Sequence, residues 1–196
     1  MAAWVRWPTK IARIIQRFGA NPAAYAKFGL PGHEGIDLVA GQGDVVFAVY
    51  DGIVSDVRLD AFSDPLMKPY GNQVRIQHAN GYESIYAHLS QPVVVLGQVV
   101  KSRQLIGLAG NTGYAREAHL HLSLKKHGAT LSGDTPYPFD LVDPEPFLLP
   151  AGSSDDAEIA IPEASLEVEV IKAAIGGITV HTVPHAAGEP VATASV

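Results

Sequence analysis

The chain has 196 residues, 47% of them hydrophobic and 17% charged, with a net charge of −6 and no cysteine. Length and balance describe one globular domain plus extra material, not a disordered chain. The acidic excess argues against a nucleic-acid binder, and the lack of cysteine excludes disulfides and thiolate metal sites, so any metal must be held by His, Asp or Glu.

The opening stretch MAAWVRWPTKIARIIQRFGA intersperses basic and apolar residues. It has no apolar core of the 7–15 residues a secretory leader needs, so no signal peptide is expected in this chain. No stretch approaches the roughly 18 apolar residues of a membrane span, so membrane insertion is not expected. Between Pro8 and Phe18, Ile11, Ile14, Ile15 and Phe18 fall at helical spacing, which predicts a helix or, failing that, an extended lead-in.

From there on strand signals dominate. VVFAVYDGIVSDVRL sets Asp51-Gly52 between two β-branched runs and predicts a hairpin. NQVRIQHANGYESIYAHL repeats the pattern around Asn80-Gly81. PVVVLGQVV and HLHLSL add two more strands. Short strands at this spacing predict a mainly β fold, an antiparallel sheet or sandwich with few or no helices.

Composition changes near Pro150. A Pro-, Ser- and acid-rich linker is expected over 149–165 and separates a domain at 1–148 from a tail at 166–196. That tail reads as about 30 residues of strand, too few to bury a core alone. It is expected to be the incomplete start of a second β domain.

The chain has 8 histidines, and four occupy informative positions. In AHLHLSL, His119 and His121 are two apart on an expected strand, so both side chains project from one face while Leu120 and Leu122 face the core. Taken alone, such a pair is more often one structural and one exposed histidine than a site. In GHEGIDL, His33 and Asp37 lie four apart in a turn rich in Gly and Pro that feeds a strand. An imidazole, a carboxylate and a further imidazole make a three-ligand set with one position left for water, the arrangement catalytic zinc uses. His88 ends the YESIYAH strand and, taken singly, reads as structural. His78, His127, His181 and His185 carry no such signal.

In this order, GHEGIDL, GNQVRIQHANGYESIYAHLS and HLHLSL resemble the lysostaphin-like family of zinc peptidoglycan endopeptidases. VVFAVYDGIV and LIGLAGNTGY fit it too, and the likeness runs roughly from Gln16 to Leu148. The resemblance implies the family's duplicated-hybrid-motif β fold and one zinc ion held by His33, Asp37 and His121. It implies that His88 and His119 are the non-ligand active-site histidines, His119 as general base and His88 as oxyanion donor, or the reverse. Tyr25 is the nearest match to a carbonyl-polarising tyrosine that several members carry. Asn72 and Tyr82 are expected walls of the substrate groove. Ala118 and Ser123 depart from the family's usual proline before the paired histidines and acid after them, and Ser102-Arg103 departs from its usual turn glycine. The tail resembles the opening of a bacterial Src-homology-3-like wall-binding domain.

The expected substrate is therefore the stem or cross-link peptide of bacterial peptidoglycan. The expected place of action is the cell wall, reached by export or by phage delivery. The expected alternative is a non-catalytic member of the same fold that binds wall material, activates another hydrolase or serves as a tail structural part. A zinc hydrolase acting on another bond and a plain β-sandwich with accidental histidines are the remaining rivals.

Overall fold

A computed structural model describes residues 3–152 of the chain. The expected tail at 166–196, and the linker from 153 on, lie outside the described residues. Eleven strands run in chain order: β1 Ile14–Gln16, β2 Ile36–Leu38, β3 Val45–Phe47, β4 Gly52–Arg58, β5 Gln73–Gln77, β6 Tyr82–Ala87, β7 Leu89–Pro92, β8 Val99–Val100, β9 Leu105–Ala109, β10 Leu120–Lys126 and β11 Leu141–Val142. Two four-residue helices, Pro22–Tyr25 and Ala129–Ser132, and two three-residue 3₁₀ turns complete the described elements.

The strands form two antiparallel sheets. The larger has the order β1-β2-β10-β6-β5-β4-β8, with β11 also paired to β10, and the smaller has the order β3-β9-β7. The expected mainly β, antiparallel class is what the molecule shows.

β10 is the central strand for function. It pairs with β2 through Leu120↔Leu38, His121↔Asp37 and Leu122↔Ile36. On its other side it pairs with β6 through His121↔Ala87 and Leu122↔Tyr86. Leu120, Leu122, Ile36, Leu38 and Tyr86 are all essentially inaccessible to solvent. Each such leucine removed from water stabilises the fold by about 2 kcal/mol. Alternation then forces the odd-numbered β10 side chains onto the opposite face.

The Asn80-Gly81 hairpin forms as its sequence predicts. β5 and β6 pair with Ile76↔Ser84 and Gln77↔Glu83, and Gly81 turns at φ +82°. Two other expectations do not hold. Val45–Phe47 and Gly52–Arg58 are not partners, because β3 pairs with β9 in the small sheet while β4 pairs with β5 and β8 in the large one. Asp51-Gly52 is thus a crossover between sheets. PVVVLGQVV likewise divides, its start closing β7 and its end forming β8. The stretch from Pro8 to Phe18 is extended, not helical: Ile14 pairs with Leu38, while Ile11 and Ile15 stay about half exposed.

His78 belongs to packing, as expected. Its Nδ1 lies 2.8 Å from the Asp51 carbonyl, and its Nε2 lies 2.8 Å from Ser84 Oγ. A carbonyl can only accept, so Nδ1 carries the hydrogen and Nε2 accepts from Ser84. Ser84 then accepts from Tyr86, whose oxygen takes the Val49 N–H.

Candidate metal and active site

Register and alternation assemble the site. β2 delivers Asp37 beside His121 on β10, and the turn before β2 delivers His33. Gly35 permits this approach. A Cβ on it would lie 2.5 Å from the Leu122 carbonyl oxygen and 2.8–2.9 Å from the His121 ring. The glycine is needed for space, not for an unusual dihedral.

Three ligand-type atoms converge. His33 Nε2 is 3.1 Å from Asp37 Oδ1 and 2.9 Å from His121 Nδ1, and His121 Nδ1 is 2.9 Å from Asp37 Oδ1. For metal–ligand bonds of about 2.0–2.1 Å, the edges of a tetrahedron are about 3.3 Å, so this triangle is close to zinc-sized. The far nitrogens are already engaged. His33 Nδ1 is 3.1 Å from the Arg17 carbonyl, and His121 Nε2 is 2.7 Å from Ser123 Oγ. The Arg17 carbonyl requires the N–H of His33 on Nδ1, which leaves Nε2 as a bare lone pair. With His121 carrying its hydrogen on Nε2, three acceptors face one another with nothing to donate between them. Such a gap calls for a cation, and the donor set suits zinc.

Without metal, protons occupy the gap. Burial alone would raise Asp37, but hydrogen bonds with His121 and His33 hold its carboxyl well below the usual carboxylate range. Burial disfavours charging His121, yet the bond to Asp37 and the charges of Glu34 and Asp37 lift its pKa. A second carboxylate is also close: His33, Glu34 and His121 offer ligand-type atoms within 4.8 Å of one another. We favour Asp37 over Glu34 as the third ligand, because its oxygen is within 3.1 Å of both nitrogens. Glu34 Oε1 lies 3.7 Å from His121 and faces Nε2, not Nδ1.

His119 and His88 stand beside this triangle. Their rings are 4.8 Å apart, and His119 Nε2 lies 3.6 Å from Asp37 Oδ1. Each has its Nδ1 2.8 Å from a backbone carbonyl, that of Glu117 for His119 and of Thr112 for His88. Both therefore present Nε2 as the free nitrogen. Burial, with His121 and His119 adding to it, pushes His88 down to about 3, so it stays neutral. His88 also adopts φ +60°, an uncommon conformation for a non-glycine residue and one found at functional positions.

The site opens on two adjoining recesses. One, of about 690 Å³, is lined by Asp37, His88, His119, Tyr25, Asn21 and Arg116 among others. The other, of about 480 Å³, is walled by Phe28, Leu30, Leu66, Met67, Tyr70 and Phe139 and reaches Glu34 and His121. Tyr25 lines both, with its ring 5.2 Å from that of His33. Asn72 and Tyr82, expected as groove walls, line neither. Asn72 is buried, accepting from the Ala61 N–H at 3.0 Å and donating to the Ser90 carbonyl at 3.2 Å. Tyr82 packs against Trp4 and Phe147. Glu34 and Tyr70 carried no sequence signal for the site, being an acid in a turn and an aromatic in a loop.

A family model described as peptidase family M23 matches residues 31–132. A peptidoglycan DD-endopeptidase, ShyC, of Vibrio cholerae is 32% identical over 126 residues, 64% of this chain and 28% of that protein. The murein hydrolase activator NlpD of Salmonella typhimurium is 31% identical over 132 residues, 67% of this chain and 30% of that protein. The matched stretch thus spans less than a third of either relative. A solved structure of a zinc-containing peptidase from Vibrio cholerae superimposes with a TM-score of 0.54 at 29% identity, over 72% of this chain and 39% of that one.

Proposed function

The chain belongs to peptidase family M23, and from that premise we propose that it is a zinc-dependent endopeptidase cutting the stem or cross-link peptides of bacterial peptidoglycan. The observation that carries this reading is the convergence of His33 Nε2, Asp37 Oδ1 and His121 Nδ1, each within 3.1 Å of the others, at the edge of an open recess. These three residues would hold the metal. The chemistry a bound zinc supplies is Lewis acidity toward the peptide carbonyl and a water whose pKa falls toward about 7.

The chain's own groups supply the rest. His119, 14% exposed, presents Nε2 and is the group to take a proton from the attacking water and pass it to the leaving amine. An added proton there faces Asp37 Oδ1. His88 has its N–H spent on Thr112 and stays neutral, which suits accepting a hydrogen bond and orienting the water. The oxyanion-donor role expected for it from sequence suits it less. Tyr25 fits that role better. Its oxygen accepts from Gln16 Nε2 at 2.7 Å, so its own O–H is free to donate. Burial, with Asp37 nearby, raises its pKa and keeps that proton in place. A preorganised donor of this kind contributes about 3 kcal/mol to the transition state.

Among the described residues, no helix is long and apolar enough to cross a membrane. Place of action is proposed from the substrate: outside the cytoplasmic membrane, at the wall.

The test is digestion of purified cell walls by the zinc-loaded full chain, with released fragments identified by mass spectrometry. New peptide amino and carboxyl ends are expected, and His121→Ala is expected to lose both zinc and activity. If His121→Ala keeps both, the scheme is wrong. The likeness to NlpD favours a second reading, a hydrolase activator. Zinc-loaded protein that releases no new ends alone, yet speeds a partner hydrolase, would establish that reading instead.

A further inference from the structure

Glu34 takes no part in the chemistry above, yet it is only 7% exposed. Its Oε2 is enclosed and has no hydrogen-bond partner among the described residues. Burying a carboxylate in this way is costly unless its charge or its acceptor oxygens are put to use.

Its surroundings show a use. Ser123 Oγ lies 2.7 Å from His121 Nε2. Glu34 Oε1 faces the same nitrogen at 3.7 Å. The Tyr70 ring stacks on the His121 ring, with centroids 5.5 Å apart and planes at 29°. A carboxylate oxygen only accepts, so the groups around Nε2 favour a hydrogen on that nitrogen. The Ser123 oxygen then accepts that hydrogen from His121. That frees Nδ1 toward Asp37 and His33. Glu34 and Asp37 sit on opposite nitrogens of one imidazole, and together their charges balance a dication.

We propose that Glu34, Tyr70 and Ser123 form a positioning relay that fixes the tautomer and ring orientation of His121, so that Nδ1 is presented to the metal. This rests on the reading that His33, Asp37 and His121 hold zinc. None of the three relay residues touches substrate in this role; they act through His121. A relay of this kind is worth about 10–100-fold in metal affinity at the residue bonded to the ligand, and less one step further out.

The test uses the full chain and zinc alone, with affinity measured by competition against a chromophoric chelator. Ser123→Ala is expected to weaken zinc binding by about 10–100-fold, and Tyr70→Leu, which removes the stacked ring, and Glu34→Gln by about tenfold. Ser123→Thr, which keeps the hydroxyl, is expected to stay within about threefold of wild type. The zinc-loaded wild type should show an imidazole N–H resonance at His121 Nε2 in nitrogen-correlated spectra, and Ser123→Ala should lose it to exchange with solvent. If Ser123→Ala does not fold, the isosteric Glu34→Gln decides. Wild type that binds zinc, with variants that bind it equally well, overturns the relay and leaves the metal site standing. Wild type that binds no zinc overturns both.

Discussion

Gly35→Ala should damage the site through packing alone. The new methyl would sit 2.5 Å from the Leu122 carbonyl oxygen and 2.8 Å from His121 Cε1, where ordinary contacts begin at 3.4 Å. Something must therefore move by about 0.9 Å. β10 is not free to do so, because Leu122 is laddered to Ile36 on one side and Tyr86 on the other. Overpacking of this kind costs about 1–3 kcal/mol. Restricting the unfolded chain returns about 0.4–1 kcal/mol. The net loss is about 1–2 kcal/mol, or roughly 2–8 °C in unfolding midpoint for a domain of this size. The ring that moves carries His121, and a site tolerates only about 0.5 Å of misplacement. Zinc affinity should fall about tenfold or more. Calorimetry and zinc competition measure the two effects. Gly41→Ala is the control, since its Cβ would meet nothing closer than Asp44 Oδ2 at 3.3 Å. Gly35→Ala protein with wild-type midpoint and wild-type zinc affinity would refute the spatial account of this glycine.

Three further outcomes follow from particular groups. Burial pushes the His78 pKa below its ordinary value, so the unfolded chain takes up a proton that the folded chain refuses; stability is full above about pH 7.5 and declines as pH falls through about 6.5. His78→Leu should flatten that decline in urea titrations at several pH values, and an unchanged slope would discount it. Asn72→Ala leaves the Ala61 N–H and the Ser90 carbonyl without partners, at about 1–3 kcal/mol each. A shift in urea midpoint worth less than about 1 kcal/mol would show that Asn72 is not the brace described here. Zinc at a hundredfold excess over its dissociation constant should add about 2.7 kcal/mol of stability, removable by chelator. No change in melting on chelation would count against a bound metal.

The site was legible where local pattern alone decides it. The two-residue spacing of His119 and His121 on a strand fixes a shared face whatever the partner strands are. The Asn80-Gly81 turn likewise fixes its own hairpin. What could not be read was pairing between distant segments. Asp51-Gly52 carries the same local signal as Asn80-Gly81, yet the strands around it go to different sheets because their partners, β9 and β5, come from elsewhere in the chain. Ile11, Ile14, Ile15 and Phe18 mimic a helical stripe, but β2 offers Ile14 a strand edge and tertiary pairing overrides the spacing. Glu34 and Tyr70 gain their meaning only when β2, β10 and the loop before β5 meet, which no window of sequence contains.

The left-handed turn at His88 has a consequence for variation in this chain. It lies where β6 ends in the large sheet and β7 begins in the small one. The imidazole is thus mounted on the crease between two layers, and the layers themselves set its aim. One residue added or removed between Tyr86 and Leu89 would rotate the ring away from His119 while leaving both sheets intact. The stretch from Ala61 to Pro69, which forms no strand, carries no such constraint. Length differences among working homologues should therefore gather in that loop and be missing at the crease.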